Sequence, residues 1–200
     1  GVKGRAEVMV ENEGEAQYLG GGEESYGFLA QDFVRDKDSV SAISLMAEIA
    51  AWAKDKGFDM NAMLIDIYKT YGYSKEKGIS LVRQGKSGAE EIQAIMKQFR
   101  ANPPKAIVGS PVVTVKDYDT LEEKNMITGE VKKLDMPTTS NVLQFFTEDG
   151  TKISIRPSGT EPKIKFYIEI HDTLNSAEEY DAKNQWAAAK IEAVAKDLGV

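Results

Sequence analysis

The chain has 200 residues, of which 42% are apolar and 28% are charged, with a formal net charge of −7. A chain of this length buries roughly 70% of its unfolded surface, which fits one domain or two small ones. The acidic balance argues against a general nucleic-acid or membrane-surface binder, and no apolar run is long enough to span a membrane. The lack of Cys excludes disulfide scaffolds and thiol nucleophiles, and a single His excludes a multi-histidine metal site. We expect a soluble, cytoplasmic protein.

Apolar residues at helical spacing predict four helices. The first two cover residues 38–56 and 59–71. The third begins at Ser87 and ends before Pro103, and the fourth begins at Ser176 and ends before Gly199. In each of the last two, a Glu three residues after the Ser is the partner expected in a capping box. Asp59 is expected to cap the second helix, and Gly72 to end it.

Alternating apolar residues predict strands, mostly in the second half of the chain. They lie at residues 16–19, 112–115, 142–147, 152–156 and 163–171. Asp149-Gly150 is typical of a tight hairpin turn between two of them. From 163 to 171, Ile and Phe alternate with polar residues, which predicts one buried face. The block from residue 85 on, with a helix, four strands and a helix, has the element order of an α+β layer. The segment 83–86 is the expected boundary and hinge.

A glycine-rich loop, residues 20–27, has the sequence GGGEESYG. Glycines let the backbone turn sharply and approach a ligand closely. Glu23, Glu24 and Ser25 would place acceptors and a donor beside the vicinal hydroxyls of a sugar. A glycine turn with two solvated Glu side chains explains the same residues equally well.

A second loop, RPSGTEP at residues 156–162, lies between two predicted strands. Arg156 offers a planar fork for a phosphate, Ser158 and Thr160 offer hydroxyl donors, and a turn centred on Gly159 can point backbone N–H groups at an anion. A plain hairpin connection would explain the Gly and Pro but not the Arg and two hydroxyls. This loop is therefore predicted to bind phosphate.

A charged segment, RDKD at residues 35–38, precedes the first helix. Its aspartates would serve as helix caps, and its basic residues as solvated charges. Since the glycine-rich loop is close in sequence, Lys37 is also a candidate second contact for an anion.

Together, GGEESYG, RDKD and RPSGTEPKIKFY resemble three motifs of the α-D-phosphohexomutase superfamily, in the family's order. The GEES form is more similar to that of phosphoglucomutases than to that of phosphomannomutases. The resemblance implies that residues 1–84 are the carboxy-terminal part of an α/β third, sugar-recognition domain. Residues 85–200 would be an α+β fourth, phosphate-binding domain, with a four-stranded, mainly antiparallel sheet and flanking helices.

The family interconverts hexose 1-phosphates and 6-phosphates through a bisphosphorylated sugar, a phosphoserine and Mg²⁺. The resemblance implies that Arg156, Ser158, Gly159 and Thr160 cradle a phosphate. It implies that Glu23, Glu24 and Ser25 bind sugar hydroxyls, and that Lys37 is a catalytic residue near the reacting end. The implied cofactors of the whole enzyme are Mg²⁺ and glucose 1,6-bisphosphate.

The family's phosphoserine segment, TASHNP-like, and its magnesium loop, DGDGDR, do not occur in these 200 residues. Phosphoryl transfer depends on positioning and metal electrostatics, so we expect the 200 residues to bind a hexose phosphate without turning it over. We expect no metal site here, and the partners to be the hexose phosphate and amino-terminal domains of the same chain, with no nucleic acid or membrane. The alternatives are a mutase for another phosphosugar, or a non-catalytic phosphosugar-binding module.

Overall fold

The computed structural model describes residues 18–22, 27–31, 36–83, 85–159 and 161–200. The chain divides into two compact units, Gly1–Leu64 and Ile65–Val200. No helix within the described ranges is long and apolar enough to cross a membrane.

The first unit contains a two-stranded antiparallel ribbon and helices. Strand β1 (Gly21–Gly22) pairs with β2 (Phe28–Leu29), and helix α1 (Ser39–Asp55) follows. Asp38 caps α1, because its carboxylate accepts hydrogen bonds from the backbone N–H groups of Val40 and Ser41. Helix α2 (Met60–Tyr71) begins in this unit and ends in the second.

The second unit is a large antiparallel sheet with helices. Its elements are β3 (Tyr73–Val82), α3 (Gly85–Ala101), β4 (Ala106–Ile107), β5 (Ser110–Asp117), β6 (Glu122–Asn125), β7 (Val131–Lys133), β8 (Leu143–Thr147), β9 (Thr151–Pro157), β10 (Lys163–Asp172) and α4 (Tyr180–Leu198). The strand order is β3-β10-β9-β8-β5-β6-β7, with β4 paired to β5, and every pair is antiparallel.

The core of this unit lies between one face of the sheet and helices α3 and α4. Strand β10 alternates as its sequence predicts: Ile164, Phe166, Ile168 and Ile170 are all buried, and the polar residues between them are on the opposite face. The buried set packs with Ile92 and Met96 of α3 and with Ala187, Ile191 and Val194 of α4. The opposite face of the sheet therefore carries the polar side chains, including those at the start of β10.

The predicted fold class is confirmed, and the described sheet is larger than the four strands expected. Strand β3 was missed because its centre, Lys75–Gly78, has no apolar alternation, yet it pairs with β10 over its whole length. The two predicted capping boxes are wrong. Helix α3 begins at Gly85, so Ser87 lies inside its first turn, and α4 begins only at Tyr180.

The predicted strand at residues 16–19 is only partly described. Tyr18 and Leu19 are not in a strand, and the observed pairing begins at Gly21. The boundary between residues 84 and 85 stays a prediction about the family's domains. In the structure, the compact units divide at Leu64, and β3 belongs to the second of them.

Candidate functional site

The glycine-rich loop is described only at its two ends. Gly21 and Gly22 pair with Leu29 and Phe28, so the chain reverses direction between β1 and β2. The hydroxyl of Tyr18 donates to the carbonyl oxygen of Leu29 at 2.8 Å, and this bond links the segment before β1 to the end of β2. The predicted sugar-binding residues Glu23, Glu24 and Ser25 lie outside the described residues.

Lys37 lies at the edge of a cavity of about 580 Å³ within the first unit. The lining is Gly27, Phe28, Lys37, Asp38, Ser39, Ala42, Ile43 and Met46. The cavity therefore combines the end of the glycine-rich loop, a lysine and the first turns of α1. The amino terminus of α1 and Lys37 would favour an anion in this cavity, whereas the Asp38 carboxylate in its lining would oppose one, so the role of Lys37 stays a prediction.

The two aspartates beside Lys37 are already engaged by backbone groups. The carboxylate of Asp36 accepts the N–H of Lys37 at 2.8 Å. The carboxylate of Asp38 accepts the backbone N–H groups of Ser41 and Val40 at 2.9 and 3.0 Å. These two hydrogen bonds lower the pKa of the Asp38 carboxyl group. Both carboxylates therefore organise the turn into α1.

The phosphate loop, which we define as residues 156–162, joins β9 to β10 in the second unit. The N–H of Ser158 donates to the carbonyl oxygen of Lys163 at 2.8 Å. The Ser158 hydroxyl oxygen in turn accepts the N–H of Glu161 at 3.3 Å. A Cβ added to Gly159 would meet no atom within 4 Å, so the space beside this glycine is open to a ligand. Thr160 lies outside the described residues.

Glu161 and Lys163 form an ion pair at the end of the phosphate loop. Hydrogen bonding and attraction from Lys163, with a smaller attraction from Lys165, lower the pKa of the Glu161 carboxyl group. Since both lysines act on Glu161, their ammonium groups lie near the loop. Residues 156–165 contain three basic residues and one carboxylate, which gives this segment a formal charge of +2.

Sequence reasoning did not identify Lys165 as a neighbour of Arg156. The residue lies directly opposite Arg156 in the pairing of β9 with β10, and its ammonium nitrogen is 5.8 Å from the ring centre of Tyr167. The alternation of β10 had assigned Lys165 to the polar face. The overlooked signal was that Arg156 falls on the same face of the next strand, immediately before the loop.

The structure brings Arg156, Ser158 and Gly159 together in one loop and places Lys37 in a cavity of the other unit. Among the described residues, no group of three or more Asp, Glu or His side chains could hold a metal ion. Asp36 and Asp38 are engaged as described above, and Asp117 pairs with Arg100, so these carboxylates do not fit a magnesium centre.

Comparisons with known proteins identify relatives of both units. Residues 81–185 match the family model described as "Phosphoglucomutase/phosphomannomutase, C-terminal domain". Residues 1–71 match "Phosphoglucomutase/phosphomannomutase, alpha/beta/alpha domain III". The two models occur in the order that the motifs predict, and the first alone covers more than half of the chain.

Individual relatives agree with the family models. A phosphoglucomutase of Staphylococcus saprophyticus is 37% identical over 162 residues, which are 80% of this chain and 29% of the relative. One from Staphylococcus haemolyticus is 35% identical over 86% of this chain and 31% of its own length. The chain thus spans about a third or less of the relatives it matches. A crystal structure of parafusin from Paramecium, a phosphoglucomutase in an open form, aligns with the whole of this chain. The alignment covers 34% of the parafusin chain, with a TM-score of 0.54 and 18% sequence identity, which indicates a shared fold.

Proposed function

The chain belongs to the phosphoglucomutase/phosphomannomutase family, and from this premise we propose that it is the sugar-phosphate-binding part of a phosphoglucomutase. The enzyme would interconvert glucose 1-phosphate and glucose 6-phosphate through a bisphosphorylated sugar and a phosphoserine. The observation that carries the proposal is the phosphate loop, in which Arg156, Ser158 and the open space beside Gly159 occur together in a matched C-terminal domain.

The loop's chemistry suits a phosphate group that does not react. Arginine can offer two parallel N–H donors to a phosphate, and a serine hydroxyl adds a third donor. Lys165, opposite Arg156 in the strand pairing, adds to the positive charge at the start of this loop, whereas Lys163 is paired with Glu161. Such an anion cradle holds a sugar phosphate by whichever phosphate is distant from the chemical step. A mutase needs this property because its intermediate must bind in two orientations.

Lys37 and the glycine-rich loop are proposed to bind the sugar end. Lys37 would stabilise phosphoryl charge or assist proton transfer near the reacting group. Glu23, Glu24 and Ser25 would hydrogen-bond to sugar hydroxyls, and Thr160 would complete the cradle. Relatives named phosphoglucomutase favour glucose over mannose as the sugar.

The chemical step is proposed to need segments that these 200 residues do not contain. Mg²⁺ would supply charge stabilisation for phosphoryl transfer, and glucose 1,6-bisphosphate would keep the serine phosphorylated. No carboxylate cluster in the described residues fits the metal, so it would be held by other parts of the enzyme. The 200 residues by themselves would bind hexose phosphate without turnover, and the cytoplasm is the proposed location of the enzyme.

An NMR titration of the 200-residue chain tests the binding proposal. Glucose 1-phosphate and inorganic phosphate should shift the amide signals of Ser158 and Gly159, whereas glucose should leave these signals in place. Arg156→Ala should abolish the shifts. Shifts that persist in this variant, or none in the unsubstituted chain, would contradict the proposed cradle. A mutase assay of an enzyme that carries this segment, with glucose and mannose phosphates compared, tests the substrate.

A further inference from the structure

The end of β3 is joined to the phosphate loop by a backbone hydrogen bond. Val82, the last residue of β3, is the pairing partner of Lys163. The next residue, Arg83, donates its backbone N–H to the carbonyl oxygen of Pro162 at 2.9 Å. The hydrogen bonding between β3 and β10 therefore continues by one residue into the phosphate loop. It fixes the position of Pro162, the last residue of that loop.

Helix α3 packs against this same Arg83 at a position where only glycine fits. Gly88 is buried in the first turn of α3. A Cβ at this position would lie 2.5 Å from the carbonyl carbon of Arg83 and 2.6 Å from its oxygen. Carbon atoms in contact are normally about 3.5–4.0 Å apart, so an alanine would displace the Arg83 backbone or the helix by about 1 Å.

The position of Pro162 is passed on to the phosphate-binding groups by the loop's own hydrogen bonds. Glu161, which precedes Pro162, donates its N–H to the hydroxyl oxygen of Ser158 at 3.3 Å. The carbonyl oxygen of Lys163 accepts the N–H of Ser158 at 2.8 Å. A shift of the Pro162 peptide would therefore move two groups that are hydrogen-bonded to Ser158.

We propose that Gly88 and the backbone N–H of Arg83 are positioning groups for the phosphate loop. Gly88 lets α3 hold the Arg83 backbone in place, and Arg83 holds Pro162, so that the loop is preorganised before phosphate arrives. This inference rests on the proposed function, because it requires the loop to bind phosphate. Neither residue touches the anion, and their effect on binding is exerted through the backbone.

Two glycine substitutions provide a matched test. Gly88→Ala should weaken the binding of inorganic phosphate by about tenfold or more. The reason is that a misplacement of about 1 Å in a functional site can cost about a hundredfold in activity. Gly78→Ala is the control, because its Cβ would lie 3.7 Å from the Tyr167 ring, an ordinary contact, and it should bind as the unsubstituted chain does. Affinities are measured by NMR titration well below the unfolding temperature of each variant. The free Gly88→Ala protein should also show shifted Ser158 and Glu161 amide signals.

Hydrogen exchange of the unsubstituted chain supplies a test that needs no variant to fold. Phosphate should slow hydrogen exchange of the Arg83 amide. Ligand binding stabilises the loop conformation in which this amide is hydrogen-bonded to Pro162. The amide of Gly129, bonded to the Asn125 carbonyl oxygen at 2.9 Å in the β6–β7 turn, is the reference. Equal slowing at Arg83 and Gly129, or unchanged affinity in Gly88→Ala, would overturn the inference. If the unsubstituted chain binds no phosphate, the proposed function fails as well. Phosphate binding that depends on Arg156 but not on Gly88 would refute the positioning role alone.

Discussion

Arg156 and Lys165 are directly opposite each other in the antiparallel pairing of β9 and β10. Opposed residues of an antiparallel pair share one face of the sheet, and like charges in this position destabilise it. Four residue pairs farther from the loop, on the same face of the sheet, Lys152 is opposite Glu169, and its ammonium nitrogen is 2.9 and 3.0 Å from the two carboxylate oxygens. Lys152 thus has a carboxylate opposite it on this face, whereas Arg156 and Lys165 place two positive charges opposite each other at the start of the phosphate loop.

We predict that Lys165→Gln weakens phosphate binding by about twofold to fivefold, because a partly exposed charge contact contributes up to about 1 kcal/mol. The same change should leave thermal stability unchanged or raise it, since it removes a like-charge pair. Phosphate titrations at two salt concentrations and thermal unfolding of the free protein measure the two effects. Lys152→Gln is the matched control, and it should lower stability with phosphate affinity unchanged. Equal phosphate affinities in the two variants would contradict the role of Lys165.

Asp149, in the turn between β8 and β9, is predicted to stabilise the fold. Its carboxylate accepts hydrogen bonds from the hydroxyls of Thr147 and Thr151 at 2.7 and 2.8 Å, and from the ammonium group of Lys190 on α4 at 2.8 Å. Because the side chain is 41% exposed, we expect Asp149→Ala to lower the free energy of unfolding by only about 1–2 kcal/mol. Urea unfolding measures the loss, and Asp135→Ala, at an exposed loop position, should show none.

The contribution of Asp149 should depend on pH. Despite partial burial, its hydrogen bonds from Lys190, Thr147 and Thr151 hold the pKa of the carboxyl group well below its ordinary value. A carboxyl group whose pKa is lower in the folded state stabilises the protein above the unfolded-state pKa, about 4, and loses this effect as pH falls further. Urea unfolding between pH 7 and pH 2.5 should therefore show a smaller acid-induced loss in Asp149→Asn than in the unsubstituted chain. Parallel pH profiles would contradict this assignment.

Arg100, at the end of α3, is predicted to anchor that helix to β5. Its Nε is 2.9 Å from a carboxylate oxygen of Asp117, and one of its terminal nitrogens donates to the side-chain oxygen of Asn141 at 2.7 Å. Arg100→Met should lower the free energy of unfolding by about 1–3 kcal/mol, because it leaves the half-buried Asp117 carboxylate without its cation. Adding Asp117→Asn should recover part of this loss in a double-mutant cycle. Strictly additive losses would show that the two residues are not coupled.

Tyr73 is predicted to make the protein sensitive to alkali. Burial raises the pKa of its phenol to about 12, with smaller contributions from Tyr68 and Tyr180. An acid with a raised folded-state pKa contributes stability below its unfolded pKa, about 10, and this contribution is lost as pH rises toward 12. Tyr73→Phe should flatten the fall in unfolding free energy between pH 9.5 and pH 11.5, measured with urea. Tyr71→Phe, at a position 83% exposed, should not change it.

Local patterns in the sequence predicted the elements whose signals lie within a few residues. Asp38 and Asp59 begin helices because a carboxylate can accept the unpaired N–H groups of a first turn. Strict alternation predicts strand β10, and the Asp-Gly pair predicts the turn at residues 149–150, where Gly150 adopts a positive φ. Strand β3 was missed because its conformation depends on pairing with β10, more than eighty residues away. The start of α4 was predicted too early in the chain. The Glu179 carboxylate accepts a backbone N–H, as a capping box requires, but the donor is Asn175 and not the predicted cap Ser176.

The sequence by itself determined which residue types are available at the site: an arginine, two hydroxyls and a glycine in one short loop, and a lysine before a helix. Side-chain chemistry and turn geometry are local properties, so they can be read from consecutive residues. Only the tertiary structure decided that Lys165 stands opposite Arg156 and that Arg83 holds Pro162. Strand register and the close packing at Gly88 set both relationships, and register is fixed when distant strands bury their apolar faces together.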